Sequence, residues 1–240
     1  MNNSLQKIVI VLTGTIVPNV IINSKHNDAY KRRNEYLDCI RFYTQFSKVY
    51  FLENSSYSLE EDSEFKDIPN LVIRKFLPSL FPERGKGFQE FEMLDKWIET
   101  EKDLVEKFVK ITGRYLYPNF NSIWKECHQN TGRKILINQY LLAQAGVELF
   151  FTDTNFYREN FLGLYHYSDD MKGVNIDMCV YKKLNSLSKD KFARFYNNTK
   201  CIGIAGDSAK KMQNLFVDSL NSIIRKLNYI FDKQYIWISF

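Results

Sequence analysis

Cationic and hydroxyl side chains alternate in a short stretch of the chain, Lys110-Ile-Thr-Gly-Arg-Tyr115. A β-strand sends alternate side chains to one face, so an extended chain would place Lys110, Thr112 and Arg114 together. An arginine guanidinium matches the oxygens of a phosphate group, and a lysine adds a second positive charge. Two cations on one face are unfavourable in a hydrophobic core, but at the end of a strand they could bind a diphosphate. The candidate ligand-binding residues of this stretch are Lys110, Gly113, Arg114 and Tyr115.

A lysine between two glycines, Gly85-Lys86-Gly87, directly precedes a predicted helix. Glycines allow a close approach of the backbone to a ligand, and the free N–H groups at a helix start favour anions. Lys86 would add a positive charge at the same place. We therefore predict that Lys86 and Gly87 contact an anionic ligand, with a plain flexible loop as the alternative.

Two carboxylates on apolar helix faces are the candidates for proton transfer. Glu90 falls within the apolar arc of the helix that follows Gly87, where an unpaired carboxylate would be costly. Glu90 either pairs with Lys110 or Arg114, or it contacts a ligand. Asp177 begins a predicted helix and projects onto its apolar stripe, where it could take a proton from a hydroxyl group. The alternative for Asp177 is a helix-start aspartate favoured by the helix dipole.

Further candidates lie next to other predicted elements. Thr13 and Gly14 end the first apolar run and are candidates for ligand contact at the end of that strand. Gly206 and Ser208 precede a long amphipathic stretch, and this pair could either close over phosphates or form a helix-capping turn. Asp153 ends an apolar run in Asp-Thr-Asn and is a candidate metal ligand or a helix cap. One carboxylate and one amide make a weak cation site, so Mg²⁺ or Mn²⁺ is compatible with the sequence without being implied by it.

The elements that must position these residues alternate between strand and helix. We predict strands from Lys7 to Thr13, Lys48 to Leu52, Leu71 to Phe76, Phe108 to Thr112 and Leu149 to Thr152, and helices from Asp28 to Phe46, Gly87 to Glu101, Asn121 to Cys127, Ile176 to Leu187 and Ala209 to Tyr229. This order indicates an α/β fold with a Rossmann-like, mostly parallel sheet flanked by helices. Ligands of such sheets bind beyond the carboxyl ends of the strands. We expect one catalytic domain over residues 1–208 and a C-terminal amphipathic helical arm over 209–240 that packs on it.

Composition excludes several classes of protein. The 240 residues are 45% hydrophobic and 25% charged, as expected for a globular domain. The net charge is +5, but the basic residues are spread along the chain with no run of five, and this distribution disfavours nucleic-acid binding. The 4 cysteines and 3 histidines show no zinc-site or disulfide spacing, and no GxGxxG follows the first strand. No apolar run is long enough for a signal peptide or a membrane span, so we expect a cytoplasmic protein.

Three motifs together, Val9 to Gly14, Gly85 to Trp97 and Lys110 to Tyr115, resemble small bacterial capsule and lipopolysaccharide glycosyltransferases of the GT-A type. The resemblance covers about the first 120 residues clearly and the rest loosely. It implies a GT-A-like sheet whose strand ends hold a nucleotide-sugar donor, a glycan or lipid-linked acceptor, and association with the inner face of the cytoplasmic membrane. Typical GT-A enzymes hold a metal with Asp-x-Asp at the fourth strand. Here Thr-Gly-Arg stands there, and Arg114 and Lys86 could neutralise the leaving diphosphate instead.

Two alternatives remain open from the sequence. Another α/β nucleotide-dependent transferase, such as a nucleotidyltransferase, would ordinarily need clustered carboxylates for two metals, which the sequence does not show. A non-catalytic binding protein would instead use the basic surface and the C-terminal amphipathic helix.

Overall fold

The computed structural model describes residues 6–18, 28–101, 105–140, 143–199 and 201–202. Its strands are β1 Gln6–Gly14, β2 Val49–Glu53, β3 Leu71–Lys75, β4 Val105–Thr112, β5 Ile135–Tyr140, β6 Gln144–Asp153 and β7 Phe192–Ala193. Its α-helices are α1 Ala29–Tyr43, α2 Ser63–Lys66, α3 Lys86–Glu101, α4 Phe120–Gln129, α5 Thr154–Asn160 and α6 Ile176–Asn185. Short 3-10 helices lie at Leu59–Glu61, Pro82–Arg84, Leu164–Tyr167 and Asp170–Lys172.

The seven strands of the described residues form one sheet in the order β3-β2-β1-β4-β6-β5-β7. Strands β3, β2, β1 and β4 are parallel, β6 is antiparallel to both β4 and β5, and β7 is parallel to β5. From β1 the chain builds outward through β2 and β3, and it then returns to place β4 on the other side of β1. The order therefore reverses between β1 and β4, and the crevice beyond their carboxyl ends is where sheets of this kind bind ligands.

The alternation of β1 shows why the sheet is covered on both faces. Val9 and Val11 face the cluster that contains α3, whereas Ile10 and Leu12 face the cluster that contains α1. All four side chains are 0% exposed. A strand buried on both sides needs a continuous apolar run rather than an alternating one, and this is the pattern that the sequence shows.

The predicted α/β fold with a mostly parallel sheet and flanking helices is confirmed. The structure adds that the strand predicted at Leu149 to Thr152 is the end of a longer strand, β6, which runs against its neighbours. The predicted C-terminal helix and the domain boundary at residue 208 lie outside the described residues. Within the part of the chain that is described, the helices are too short or too polar to cross a bilayer.

Candidate functional site

A cleft opens at the point where the strand order reverses. It is bounded by the carboxyl ends of β1 and β4, by α1 and by the first turns of α3; its lining residues are Thr13, Gly14, Thr15, Pro18, Arg32, Tyr36, Lys86, Gln89, Glu90, Met93, Thr112 and Arg114. The cavity volume is about 100 Å³. Pockets that enclose a whole small molecule usually hold about 300 Å³ or more, so this cleft encloses only part of a larger ligand. Pro18, in its wall, is the last described residue before 19–27.

Glu90 joins α3 to the ends of both central strands. Its Oε1 accepts hydrogen bonds from the hydroxyls of Thr13 and Thr112, the latter at 3.0 Å, and it pairs with the ammonium of Lys110 at 2.8 Å. Of the two interpretations of this carboxylate, the pairing with Lys110 is thus present in the structure. Glu90 also lines the cleft, so a ligand there would meet a carboxylate that is already held in place.

Lys110 is completely buried and stands behind the cleft rather than in its wall. Its side chain is 0% exposed, and Nζ donates to the carbonyl oxygen of Val147 at 2.7 Å and to the hydroxyl of Thr112 at 3.2 Å, in addition to the pair with Glu90. This placement corrects the expectation that Lys110 and Arg114 share one face. Strand β4 ends at Thr112 and the chain turns at Gly113, so the alternation that would have brought Arg114 alongside Lys110 is interrupted.

Arg114 reaches the cleft from the α1 side. It is 7% exposed, its Nη1 donates to Oε2 of Glu35 at 2.9 Å, and its guanidinium carbon lies 5.9 Å from the centroid of the Tyr36 ring. Its Nε–H is buried and has no hydrogen-bond partner among the described residues. A buried donor without a partner is costly, and a ligand oxygen that reached this N–H would relieve that cost.

Arg32 is a cleft residue that sequence reasoning missed. It is 6% exposed and lines the cleft from α1, where Nε donates to the carbonyl oxygen of Thr15 at 3.0 Å. It lies one helical turn before Tyr36, another lining residue, and the spacing of four could have revealed that both share the sheet-facing side of the helix. Its neighbour Arg33 faces away from the cleft and pairs with Asp62 at 2.6 Å.

The three residues of the Gly85-Lys86-Gly87 segment have different roles in the structure: the lysine lines the cleft, and the two glycines allow close packing. Lys86 is the first residue of α3 and lines the cleft. A Cβ on Gly87 would lie 2.3 Å from Cγ2 of Ile176, so this glycine allows α6 to pack closely against α3 and is not part of the cleft wall. Gly85 has a φ of 108°, which favours glycine, and a Cβ there would overlap the carboxylate of Asp170.

Two half-buried carboxylates, neither of them among the cleft-lining residues, stand near Lys110 on the same side of the sheet. Burial raises the pKa of Asp177, in the first turn of α6, to about 7, and the negative charges of Glu148 and Glu90 add to the shift. Glu148 lies on β6, where its Oε1 accepts a hydrogen bond from the Tyr140 hydroxyl at 2.5 Å, and burial raises its pKa as well. Sequence reasoning missed Glu148, although a single acid within the apolar run of β6 is a recognisable signal.

The remaining candidates fall into three groups. Gly14 lines the cleft together with Thr13. Gly113 and Tyr115 do not line it: a Cβ on Gly113 would lie 2.8 Å from the Thr13 carbonyl oxygen, and the Tyr115 carbonyl oxygen accepts a hydrogen bond from Tyr43. Gly206 and Ser208 lie outside the described residues.

The structure separates Asp153 from the other candidates. Because β6 is antiparallel to β4, its carboxyl end lies at the sheet edge opposite the cleft. There Asp153 accepts a hydrogen bond from the backbone N–H of Phe156 at 3.1 Å and caps α5, with Lys134 at 3.5 Å. The cap, which the sequence left as the alternative, is what the structure shows. Across the described residues, no three His, Cys, Asp or Glu side chains are grouped so that they could hold a metal ion.

Comparison with known proteins yields structural relatives only. No protein-family model matches the chain, and no curated protein matches it. A protein from Desulfovibrio desulfuricans G20, whose assignment as a nucleotide-diphospho-sugar transferase is itself provisional, is similar with a TM-score of 0.49 and 8% identity over 81% of this chain and 80% of its own.

Two further structures are similar at the same level. The inositol-1-phosphate CTP transferase from T. maritima has a TM-score of 0.48 and 13% identity over 90% of this chain and 94% of its own. Mouse xyloside xylosyltransferase 1 has a TM-score of 0.45 and 9% identity over 79% of this chain and 85% of its own. With TM-scores below 0.5, these alignments assign no activity to this chain, and the chemistry of the cleft has to support a function by itself.

Proposed function

We propose that this protein is a glycosyltransferase that moves a sugar from a nucleotide-diphosphate donor to a growing bacterial surface glycan, in a capsule or a lipopolysaccharide. The observation that supports the proposal is Arg114. Arg114 lines a cleft at the switch point of the sheet, and its buried guanidinium has an Nε–H without a hydrogen-bond partner in the part of the chain that the structure describes. An unpartnered N–H next to a positive charge is what a phosphate oxygen would satisfy.

The other lining groups fit the same ligand. Arg32 and Lys86 bring two more positive charges to the cleft, and Thr13, Thr15 and Thr112 bring hydroxyls. When the sugar leaves its donor, negative charge grows on the diphosphate, and fixed cations stabilise that charge. In this proposal Arg114 and Lys86 take the part that a metal held by Asp-x-Asp takes in the family that the sequence resembles. Arg32 adds to them.

The acceptor side of the proposal rests on the half-buried carboxylate of Asp177. An acceptor hydroxyl must lose its proton as it attacks the sugar, and a carboxylate whose pKa lies near the working pH is suited to take it. Asp177, with a pKa of about 7, is the base in this proposal. The acceptor would be a glycan or a lipid-linked glycan reached at the inner face of the cytoplasmic membrane.

The first experiment is a thermal-shift screen of UDP- and GDP-linked sugars, with and without Mn²⁺, followed by calorimetric measurement of Kd for the best donor. A ligand that binds only the folded protein raises its melting temperature. We expect Arg114→Gln to weaken donor binding about 10- to 100-fold, because a hydrogen bond to a charged group contributes about 1.5–3 kcal/mol.

The matched control is Arg133→Gln, because Arg133 is exposed and lies before the start of β5, at the edge opposite the cleft. Lys86→Gln provides a second cleft variant whose side chain is only partly buried, in case loss of Arg114 impairs folding. If no donor shifts the melting temperature of the wild type, or if both cleft variants bind donor as the wild type does, the proposal is wrong.

Product analysis separates this proposal from the nucleotidyltransferase alternative. A glycosyltransferase releases a nucleoside diphosphate from a sugar nucleotide. A nucleotidyltransferase forms a sugar nucleotide and pyrophosphate from a nucleoside triphosphate and a sugar phosphate. Formation of pyrophosphate, with no release of nucleoside diphosphate, would move the protein to the second class.

A further inference from the structure

The buried Lys110 has no assigned role in the cleft, and its surroundings are unusual for a lysine. Lysine is rarely buried completely unless it is paired. Here Nζ is held by three oxygens from three elements: the carboxylate of Glu90 on α3, the hydroxyl of Thr112 at the end of β4, and the carbonyl of Val147 on β6. The ammonium is therefore fixed in position.

More negative charge than positive charge gathers around this ammonium. Glu90 is in contact with it, and Glu148 directly follows Val147, whose carbonyl oxygen accepts from the ammonium. Asp177 directly follows Ile176, which packs on Gly87 about one turn before Glu90 on α3. The charge of Lys110 favours the ionised form of both Glu148 and Asp177. The titratable and charged groups that face Asp177 or Glu148 from the surrounding elements are Glu90, Lys110, Tyr115, Tyr117, Tyr140, Asp170 and Cys179. Lys86, in turn, acts on Asp170. Lys110 is thus the fixed cation within a group of three acids.

We propose that Lys110 is a positioning residue that offsets the charges of Glu90 and Glu148 beside Asp177, and so allows Asp177 to act as the base. The inference rests on the proposed function for its catalytic meaning. In the transfer step, the acceptor oxygen forms a bond to the anomeric carbon as its proton passes to Asp177. The bond from that carbon to the diphosphate oxygen breaks, and its electron pair leaves with the nucleoside diphosphate.

The geometry explains why Lys110 acts through other groups. Its ammonium is not exposed and is not part of the cleft wall, so it cannot contact a phosphate in this arrangement. Its contacts instead hold the Glu90 carboxylate against the hydroxyls of Thr13 and Thr112. Without the ammonium, the charges of Glu90 and Glu148 would act on Asp177 without the compensation that Lys110 provides. It would then keep its proton to a higher pH.

The test is a direct titration of Asp177 by NMR in full-length protein that carries ¹³C-labelled aspartate, with Asp177→Asn used to assign the signal. In Lys110→Met, we expect the titration midpoint of Asp177 to rise by about one pH unit, the lower end of the effect of a nearby opposite charge. Lys107→Met is the matched control, because Lys107 lies on the same strand and has a side chain that is 32% exposed. It should leave the midpoint unchanged.

A charge-balanced pair of variants keeps the test valid if Lys110→Met does not fold. Glu90→Gln should lower the midpoint of Asp177, and the double variant Glu90→Gln with Lys110→Met should raise it again relative to Glu90→Gln. If neither comparison moves the midpoint, or if Lys107→Met moves it equally, Lys110 does not control Asp177. No donor is needed for the titration, so its outcome is independent of whether the protein proves to bind a nucleotide-sugar.

A kinetic measurement then ties the titration to the reaction. With the donor from the screen, release of nucleoside diphosphate can be followed against pH. The acid limb of the kcat profile should move in Lys110→Met by the same number of pH units as the Asp177 midpoint. A lower kcat with an unmoved acid limb would show that Lys110 supports the structure without setting the protonation of the base.

Discussion

A substitution at Gly87 can separate two interpretations of this glycine. Its sequence context suggested contact with a ligand, whereas the structure shows that it allows α6 to pack closely on α3. A Cβ at this position would lie 2.3 Å from Cγ2 and 3.0 Å from Cβ of Ile176. Carbon atoms in contact lie about 3.5–4.0 Å apart, so in Gly87→Ala the two helices must separate by about 1 Å. Ile176 is 2% exposed within the core, so it cannot relieve the overlap by turning to solvent.

The magnitude follows from two opposing effects. Overpacking of a well-packed core costs about 1–3 kcal/mol, whereas alanine is favoured over glycine within a helix by about 1 kcal/mol. We expect Gly87→Ala to lower the free energy of unfolding by about 1–2 kcal/mol. Ile176→Ala alone should cost about 2–5 kcal/mol, but it removes the Cγ2 that causes the overlap. In that background, Gly87→Ala should be neutral or stabilising.

The assay is urea unfolding of the wild type, the two single variants and the double variant, which together form a double-mutant cycle. Gly132→Ala is the control, since a Cβ there would meet no atom of the described residues within 4 Å. A Gly87→Ala protein as stable as the wild type, or equally destabilised with and without Ile176, would refute the packing explanation. If stability were unchanged and donor binding were lost, Gly87 would be the ligand contact that the sequence suggested.

Two further predictions concern carboxylates. Burial raises the pKa of Asp95 to about 7 from 3.8, despite hydrogen bonds from the Gly163 N–H and the Tyr157 hydroxyl, so the folded protein holds a proton that the unfolded chain loses at lower pH. The contribution of Asp95 to stability should therefore fall as pH rises from about 4 to about 7. Over this range the free energy of unfolding, measured in urea, should fall less in Asp95→Asn than in the wild type; an identical pH dependence in the two proteins would contradict the assignment. Asp153→Ala removes a helix cap at the opposite edge, so it should cost about 1 kcal/mol in unfolding while donor affinity and its response to Mn²⁺ stay the same. A changed Mn²⁺ response would instead restore Asp153 as a metal ligand.

Local chemistry was enough to predict the main elements and several of their roles. The β-branched run from Ile8 to Leu12 indicated a strand covered on both faces, and β1 is such a strand. The apolar arc of α3 indicated that Glu90 would face the core and need a partner, and Lys110 was one of the two partners considered. These inferences succeed because strand alternation and helix periodicity are properties of a few consecutive residues.

Where each side chain points was decided only by the tertiary structure. Strand β4 ends one residue before Gly113, and after this turn Arg114 pairs with Glu35, 79 positions earlier in the chain. Lys110, which lies within the strand, stays buried behind the cleft. The antiparallel direction of β6 places Asp153 away from the cleft and brings Glu148 close to Lys110. Strand direction and strand ends depend on contacts between segments far apart in sequence, and local periodicity contains no information about those contacts.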